Sequence, residues 1–392
     1  MLGTPFSPWP SFTDEEAEAV KRVLLSNRVN YWTGEECRLF ETEFASYCEC
    51  EYAVALSNGT VALDLALKAL GLGSGDEVIV TSRTFLASVS SVVNAGAIPV
   101  FADIDRDSQN LSADDVARRI TPRTRAILAV HLAGWPCDMD ALLALANEND
   151  LFLIEDCAQA HGARYRGSAV GAIGHIGCWS FCQDKIMTTG GEGGMITTND
   201  PEIWSAVWSY KDHGKSWEAV YERKHEPGFR WLHESFGTNA RMIEMEAVIG
   251  RIQLARMPSW SKTRRDYSAR IEAVCRDLPA LRVPPVPEDI DHARYKQYVF
   301  VRPERLRGGW SRDRIASEIS ERGVPCLQGS CSEVYLEKAF EDTSYRPAKR
   351  LPIARELGET SLMFLVHPTL KEQEIVKTCE TIHEVLSLAT EN

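Results

Sequence analysis

The chain has 392 residues, a hydrophobic fraction of 44%, a charged fraction of 25% and a formal net charge of -13 from 43 Lys+Arg against 56 Asp+Glu. A single core ordinarily serves roughly 250–300 residues, so the length predicts two folding units, and the apolar content excludes a disordered chain. The negative charge repels phosphate backbones and anionic membranes, which argues against nucleic-acid and membrane partners; a helix N-terminus can still hold a small phosphorylated ligand.

Thr13 and Glu16 form a capping-box pattern that opens an amphipathic helix over 14–25, and the segment 27–34 breaks it. From Tyr52 onward short apolar runs alternate with helical patterns: YAVALS, a helix over 60–70, EVIVTS, a helix from Phe85, then IPVFAD. AILAVHL, a helix over 139–149, LFLIED, GCWSFC and GMITTN continue the rhythm. Repeated βαβ units with continuous rather than alternating apolar strands predict an α/β fold whose mostly parallel sheet is covered by helices on both faces. The C-terminal ends of its strands should face the active site. After Met257 the character shifts to a basic, polar helix over 259–278, the Pro-rich VPPVPED and a strand in YKQYVFVRP. The expected division is a large domain over 1–258 and a smaller C-terminal α/β domain over 259–392.

Eleven cysteines, an odd number spread through the chain, read as reduced small hydrophobes. The nearest pairs, Cys48 with Cys50 and Cys178 with Cys182, lack zinc-site spacing, so no metal is expected. The segment MLGTPFSPWPSFTDEEAEAV has no basic region followed by an apolar one, and no run of about 18 apolar residues occurs, so the expected location is the cytoplasm.

Four features fall at predicted strand ends. Ser57-Asn58-Gly59-Thr60 joins a strand to a helix, where free backbone N–H groups could cradle an anion, although the same residues also make an ordinary turn. Asp156 closes the apolar strand LFLIED and is followed by Cys157-Ala158-Gln159; a carboxylate there calls for a cationic partner or serves as a helix cap. Lys185 in SFCQDK precedes the glycine-rich Gly190-Gly191-Glu192-Gly193-Gly194, and its neighbours Trp179, Phe181, Ile186 and Met187 are apolar. An amine so placed is suited to Schiff-base chemistry, whereas an isolated surface lysine would not be. Gly237-Thr238-Asn239-Ala240-Arg241-Met242 introduces a further apolar helix, and Phe85 in TSRTFLA is either a core aromatic or a platform for a flat ring.

Taken together, YWTGEECRLFETEFASY, SNGTVALDLAL, GAIPVFADID, IEDCAQAHGA, SFCQDK with GGEGG, and GTNARM resemble the DegT/DnrJ/StrS family of (nucleotide-)sugar aminotransferases. These are fold-type I enzymes dependent on pyridoxal 5'-phosphate (PLP). The resemblance covers nearly the whole chain. It implies that Lys185 forms the Schiff base and moves the proton, Asp156 pairs with the pyridinium nitrogen, Gln159 bonds the ring hydroxyl and Phe85 stacks on the ring. It further implies a phosphate seat made by Gly59, Thr60 and Val61, the Ser180 hydroxyl, and Asn239 from the second subunit of a homodimer. An amino acid, L-glutamate or L-glutamine, would donate its amino group to a keto-sugar.

One departure is that Gly190 and Gly191 both precede Glu192, where the family has a single glycine. Another is the charged segment 211–230, read either as a substrate-phosphate contact through Arg223 and Lys224 or as a solvated loop. Tyr31, Trp32, His213, Arg241 and Tyr335 are candidate substrate-pocket residues. A cyclitol ketone in place of the sugar, and a non-catalytic family member, remain the alternative readings.

Overall fold

The computed structural model describes residues 6–224, 228 and 230–391. Its strands, in chain order, are β1 (Tyr52–Leu56), β2 (Glu77–Thr81), β3 (Ile98–Ala102), β4 (Thr124–Val130), β5 (Phe152–Asp156), β6 (Arg164–Tyr165) and β7 (Ser168–Ala169). They continue as β8 (Ile176–Ser180), β9 (Gly194–Thr198), β10 (Leu281–Arg282), β11 (Ile290–Asp291), β12 (Gln297–Val301), β13 (Cys326–Leu327) and β14 (Ser361–Phe364). Seven form the main sheet, in the order β1-β9-β8-β5-β4-β2-β3. The pairs from β8 through β3 are parallel, and β9 runs against both of its neighbours.

Burial on both faces explains the continuous apolar runs. In β2, Val78 and Val80 join one core cluster while Ile79 joins another; in β4, Leu128 and Ile127 divide the same way. A strand's side chains alternate between faces, so each must be apolar in turn. The alternation also sorts two adjacent acids on β5. Asp156 falls on the face of Ile154, and Glu155 on that of Leu153. Buried Glu155 accepts the N–H groups of Gly171 (2.8 Å), Ile173 (2.9 Å) and Gly174 (2.6 Å) and lies 2.9 Å from His131 Nε2. His131, Glu155 and Cys157 have ligand atoms within 4.8 Å of one another, but these protein donors already satisfy the Glu155 carboxylate.

The first helix, Asp14–Leu25, begins with the expected box, the Thr13 N–H donating to the Glu16 carboxylate at 2.7 Å. The helix expected from Phe85 starts at Ala87. The helix expected over 259–278 is instead a 33-residue element, Glu244–Arg276, with Pro258 inside it. Proline reads as a helix boundary because it lacks an N–H. Here, packing of the first half against the Asp14–Leu25 and Glu36–Tyr47 helices and of the second half against β10 and β12 overrides that local preference.

The strands β10, β12, β14 and β13 form a separate antiparallel sheet, with a core that includes Ile271, Val299, Ile315, Leu362 and Ile382. We propose on this basis that the chain divides near 258/259, with the long helix shared by the two units. Among the described residues no helix is long and apolar enough to cross a membrane.

Candidate active site

The C-terminal ends of β2, β5 and β8 and the start of the Gly59–Ala69 helix surround a cavity of about 660 Å³. Gly59, Thr60, Val61, Phe85, Asp156, Gln159, Ser180 and Lys185 all line it. Residues separated by more than a hundred positions are thus gathered by the parallel sheet.

At the helix start, the Asn58 side chain caps by accepting the Val61 N–H at 2.9 Å. That donor is therefore engaged locally, and the positive end of the helix faces the cavity with Gly59 and Thr60 in front. A Cβ at position 59 would stand 2.5 Å from the Ser180 Cβ, so only glycine lets the helix approach β8 this closely. The Ser180 Oγ, which accepts the Cys182 N–H at 3.3 Å, is thereby held against the helix start.

Asp156, which also lines the cavity, is buried, accepting the Ser88 hydroxyl at 2.8 Å and the Ala158 N–H at 3.1 Å. Burial pushes its carboxyl above the ordinary range, against the lowering effect of those two bonds and of the Lys185 charge. A carboxylate in this condition is a seat for a cation. Gln159 Oε1 accepts the Ala133 N–H at 2.7 Å, which leaves the amide NH2 as the end that can donate to a ligand. Phe85 is 72% exposed, standing over the cavity as a free aromatic face.

The Lys185 side chain is 17% exposed, with Nζ 3.5 Å from Asp184 Oδ1. Its backbone is fixed at both ends, the N–H donating to Cys182 O at 3.0 Å and the carbonyl accepting Trp9 Nε1–H at 2.8 Å. Gly190, Gly191 and Gly193 take φ of 97°, 141° and 151°. The additional glycine is therefore used, because no other residue adopts such a conformation readily.

Thr84, Ser88, Asp184 and Glu192 also line the cavity and were not singled out by the sequence. Ser88 is one of four serines within 82–91, and nothing local marks it as the one reaching Asp156.

Other expected residues lie elsewhere. Asn239 is exposed and does not line its own chain's cavity. Tyr31 and Tyr335 are core residues whose hydroxyls donate to Glu41 (3.1 Å) and Glu333 (2.6 Å). Trp32 stacks on Tyr221, Arg241 pairs with Asp212 at 2.7 Å, and His213 is an exposed turn residue with φ 61°. Arg223 is drawn to Glu234 at 2.8 Å; His225, Glu226, Pro227 and Phe229 of the same segment lie outside the described residues.

A lysine amine and a buried carboxylate at neighbouring strand ends of a mostly parallel seven-stranded sheet, with a smaller sheet beyond, define a fold-type I transferase. The model of the DegT/DnrJ/EryC1/StrS aminotransferase family matches residues 10–383, and the chain belongs to that family. It is 37% identical to the dTDP-3-amino-3,4,6-trideoxy-alpha-D-glucose transaminase of Streptomyces venezuelae, over 94% of this chain and 92% of that one. It is 34% identical to the GDP-perosamine synthase of Escherichia coli O157:H7, over 96% and 97%. The crystal structure of an aminotransferase from Psychrobacter cryohalolentis superposes with a TM-score of 0.97 at 61% identity, covering 98% of this chain and 99% of that one. The protein is an aminotransferase.

Proposed function

We propose that this aminotransferase uses PLP held on Lys185 to move an amino group from L-glutamate or L-glutamine to a nucleotide-linked keto-sugar. The observation that carries this reading is the single cavity joining the Lys185 amine, the buried Asp156 carboxylate and the Gly59–Ser180 helix start. The residues fit the cofactor on one further count: burial has raised the Asp156 carboxyl, and its hydrogen-bond partners, Ser88 and Ala158, are neutral. The sugar class rests on the names of the two relatives, both of which make amino sugars linked to nucleotides.

When bound, PLP supplies an electron sink that lets an amino acid lose its α-proton. Asp156 would hold a proton on the ring nitrogen, with Ser88 and Ala158 keeping the carboxylate aimed. Gln159 would donate its amide N–H to the ring hydroxyl, and Phe85 would cover one ring face and exclude water. Thr60 N–H and Ser180 Oγ would bind the phosphate, joined by Asn239 of a second subunit in a homodimer. Lys185 Nζ, once freed, would take the α-proton from the donor and deliver it to the C4′ carbon of the cofactor.

Purified protein should be yellow, with a visible band abolished by borohydride, and Lys185→Ala should lose both that band and about 10³-fold or more of the activity. A protein that stays colourless on reconstitution defeats the reading. Loading the enzyme as pyridoxamine phosphate and screening nucleotide-linked keto-sugars and free cyclitol ketones for return of the band identifies the acceptor class.

A further inference from the structure

We propose that Asp184, held by Tyr295, is the anionic partner that keeps a proton on Lys185 Nζ; this rests on the reading that Lys185 carries the cofactor. Asp184 Oδ1 stands 3.5 Å from Nζ, and its other oxygen accepts the Tyr295 hydroxyl at 2.5 Å. Tyr295 is buried, and its ring centre lies 5.6 Å from the same Nζ. Asp184 follows β8 of the main sheet, whereas Tyr295 lies two residues before β12 of the second sheet. The carboxylate is thus tied across the two sheets rather than left to its own loop.

The charges around Nζ leave this role to Asp184. Arg264 is a buried cation nearby, and burial pushes Lys296 down to about 8. Burial also drives His161 down to about 3, which keeps it neutral, and lifts the Cys182 thiol. Among the acids, Asp156 is engaged with Ser88 and Ala158, and Glu192 lines the cavity without forming an ion pair with the amine. Among the described residues, Asp184 is the carboxylate in ion-pair range of Nζ. Burial raises the Asp184 carboxyl, but the Lys185 charge and the Tyr295 hydroxyl outweigh it and hold the group below the ordinary carboxylate range. Burial and the Asp184 charge push the Tyr295 phenol up, so it stays a donor.

The lysine nitrogen has two tasks with opposite demands. As a Schiff base it is reactive when protonated; as a free amine it must be basic enough to accept a proton. A carboxylate beside it favours the proton without bonding to it, and no proton passes to Asp184. The Asp184 side chain is 53% exposed, so solvent screens the interaction and keeps the nitrogen from being locked in one state.

The test is a pH titration of the visible band in the cofactor-loaded protein. Asp184→Asn should lower the midpoint by about 0.5 to 1 pH unit, a size set by a half-screened charge. Tyr295→Phe keeps the ring and removes the hydrogen bond that holds the carboxylate, while the charge itself remains, so its midpoint should hold or fall by less than that of Asp184→Asn. Asp184→Glu should restore the parent value. A shift under about 0.2 pH unit in Asp184→Asn, or an equal fall in Tyr295→Phe, overturns the assignment. Absence of a borohydride-sensitive band in the parent overturns this assignment together with the reading beneath it. A parent band with an unmoved Asp184→Asn midpoint defeats the role of Asp184 alone.

Discussion

Asp156 illustrates how one side chain can weaken the empty protein for the sake of the loaded one. Its carboxyl is raised by burial, so the unfolded chain releases that proton at lower pH than the folded chain does. From the ordinary carboxylate range upward, the folded state binds more protons than the unfolded state, and stability falls as pH rises. At pH 7 the cofactor-free protein therefore carries a burial cost that the Ser88 and Ala158 hydrogen bonds and the Lys185 charge offset only in part, and that Asp156→Asn removes. Scanning calorimetry of the apo-protein should find the variant higher in Tm by about 2 °C at pH 7, with the difference gone near pH 4. Addition of PLP should reverse the order at pH 7, because the variant lacks the anion for the ring nitrogen. Asp156 and Lys185 were legible from their neighbours in the chain. Ser88, Asp184 and Tyr295 were not, because each acquires its meaning from a partner distant in sequence.

The junction of the Gly59–Ala69 helix with β8 depends on a missing side chain. A methyl group at 59 would sit 2.5 Å from the Ser180 Cβ, with the Ser180 backbone Cα at 3.0 Å, so neither element can yield cheaply. Gly59→Ala should cost about 1–3 kcal/mol in denaturant unfolding, the usual range for overpacking. Pushing the helix start from Ser180 should also weaken PLP uptake by about tenfold, measured by fluorescence titration of the apo-protein. An unchanged affinity would separate the helix start from the phosphate seat. The long Glu244–Arg276 helix makes the converse point, since its Pro258 suggests an end that tertiary packing does not honour.

At the scale of the whole molecule, the proposed contribution of Asn239 to a second copy is open to a direct test. Phe236, 97% exposed, and Trp231, 89% exposed, lie close in the chain to exposed Asn239. If Asn239 completes the site of a partner, Lys185→Ala and Asn239→Asp proteins should each be poorly active alone. Their heterodimer contains one site with native Lys185 and native Asn239. Mixing equal amounts under subunit exchange should then recover about a quarter of the parent activity, since half of the dimers are mixed and half of their sites intact. No recovery despite exchange, followed by mass spectrometry, would show that Asn239 does not complete the partner's site.

The βαβ rhythm, the two-faced burial of the strands and the family motifs are local patterns, and the chain's own order of residues was enough to read them. Lys185 could be singled out in that way because its motif is contiguous. The extra glycine before Glu192, a departure in the sequence, became intelligible only through the positive φ of Gly190 and Gly191. Tyr31 and Tyr335 read as pocket residues until packing placed them in the core. Asp184 likewise gained its place through the folding of β12 beside β8's exit loop, which brings Tyr295 to its carboxylate. The physical reason is common to all of these. Periodicity and motif spacing report what neighbours along the chain require, whereas hydrogen bonds and desolvation are set between segments that only the closed fold brings together.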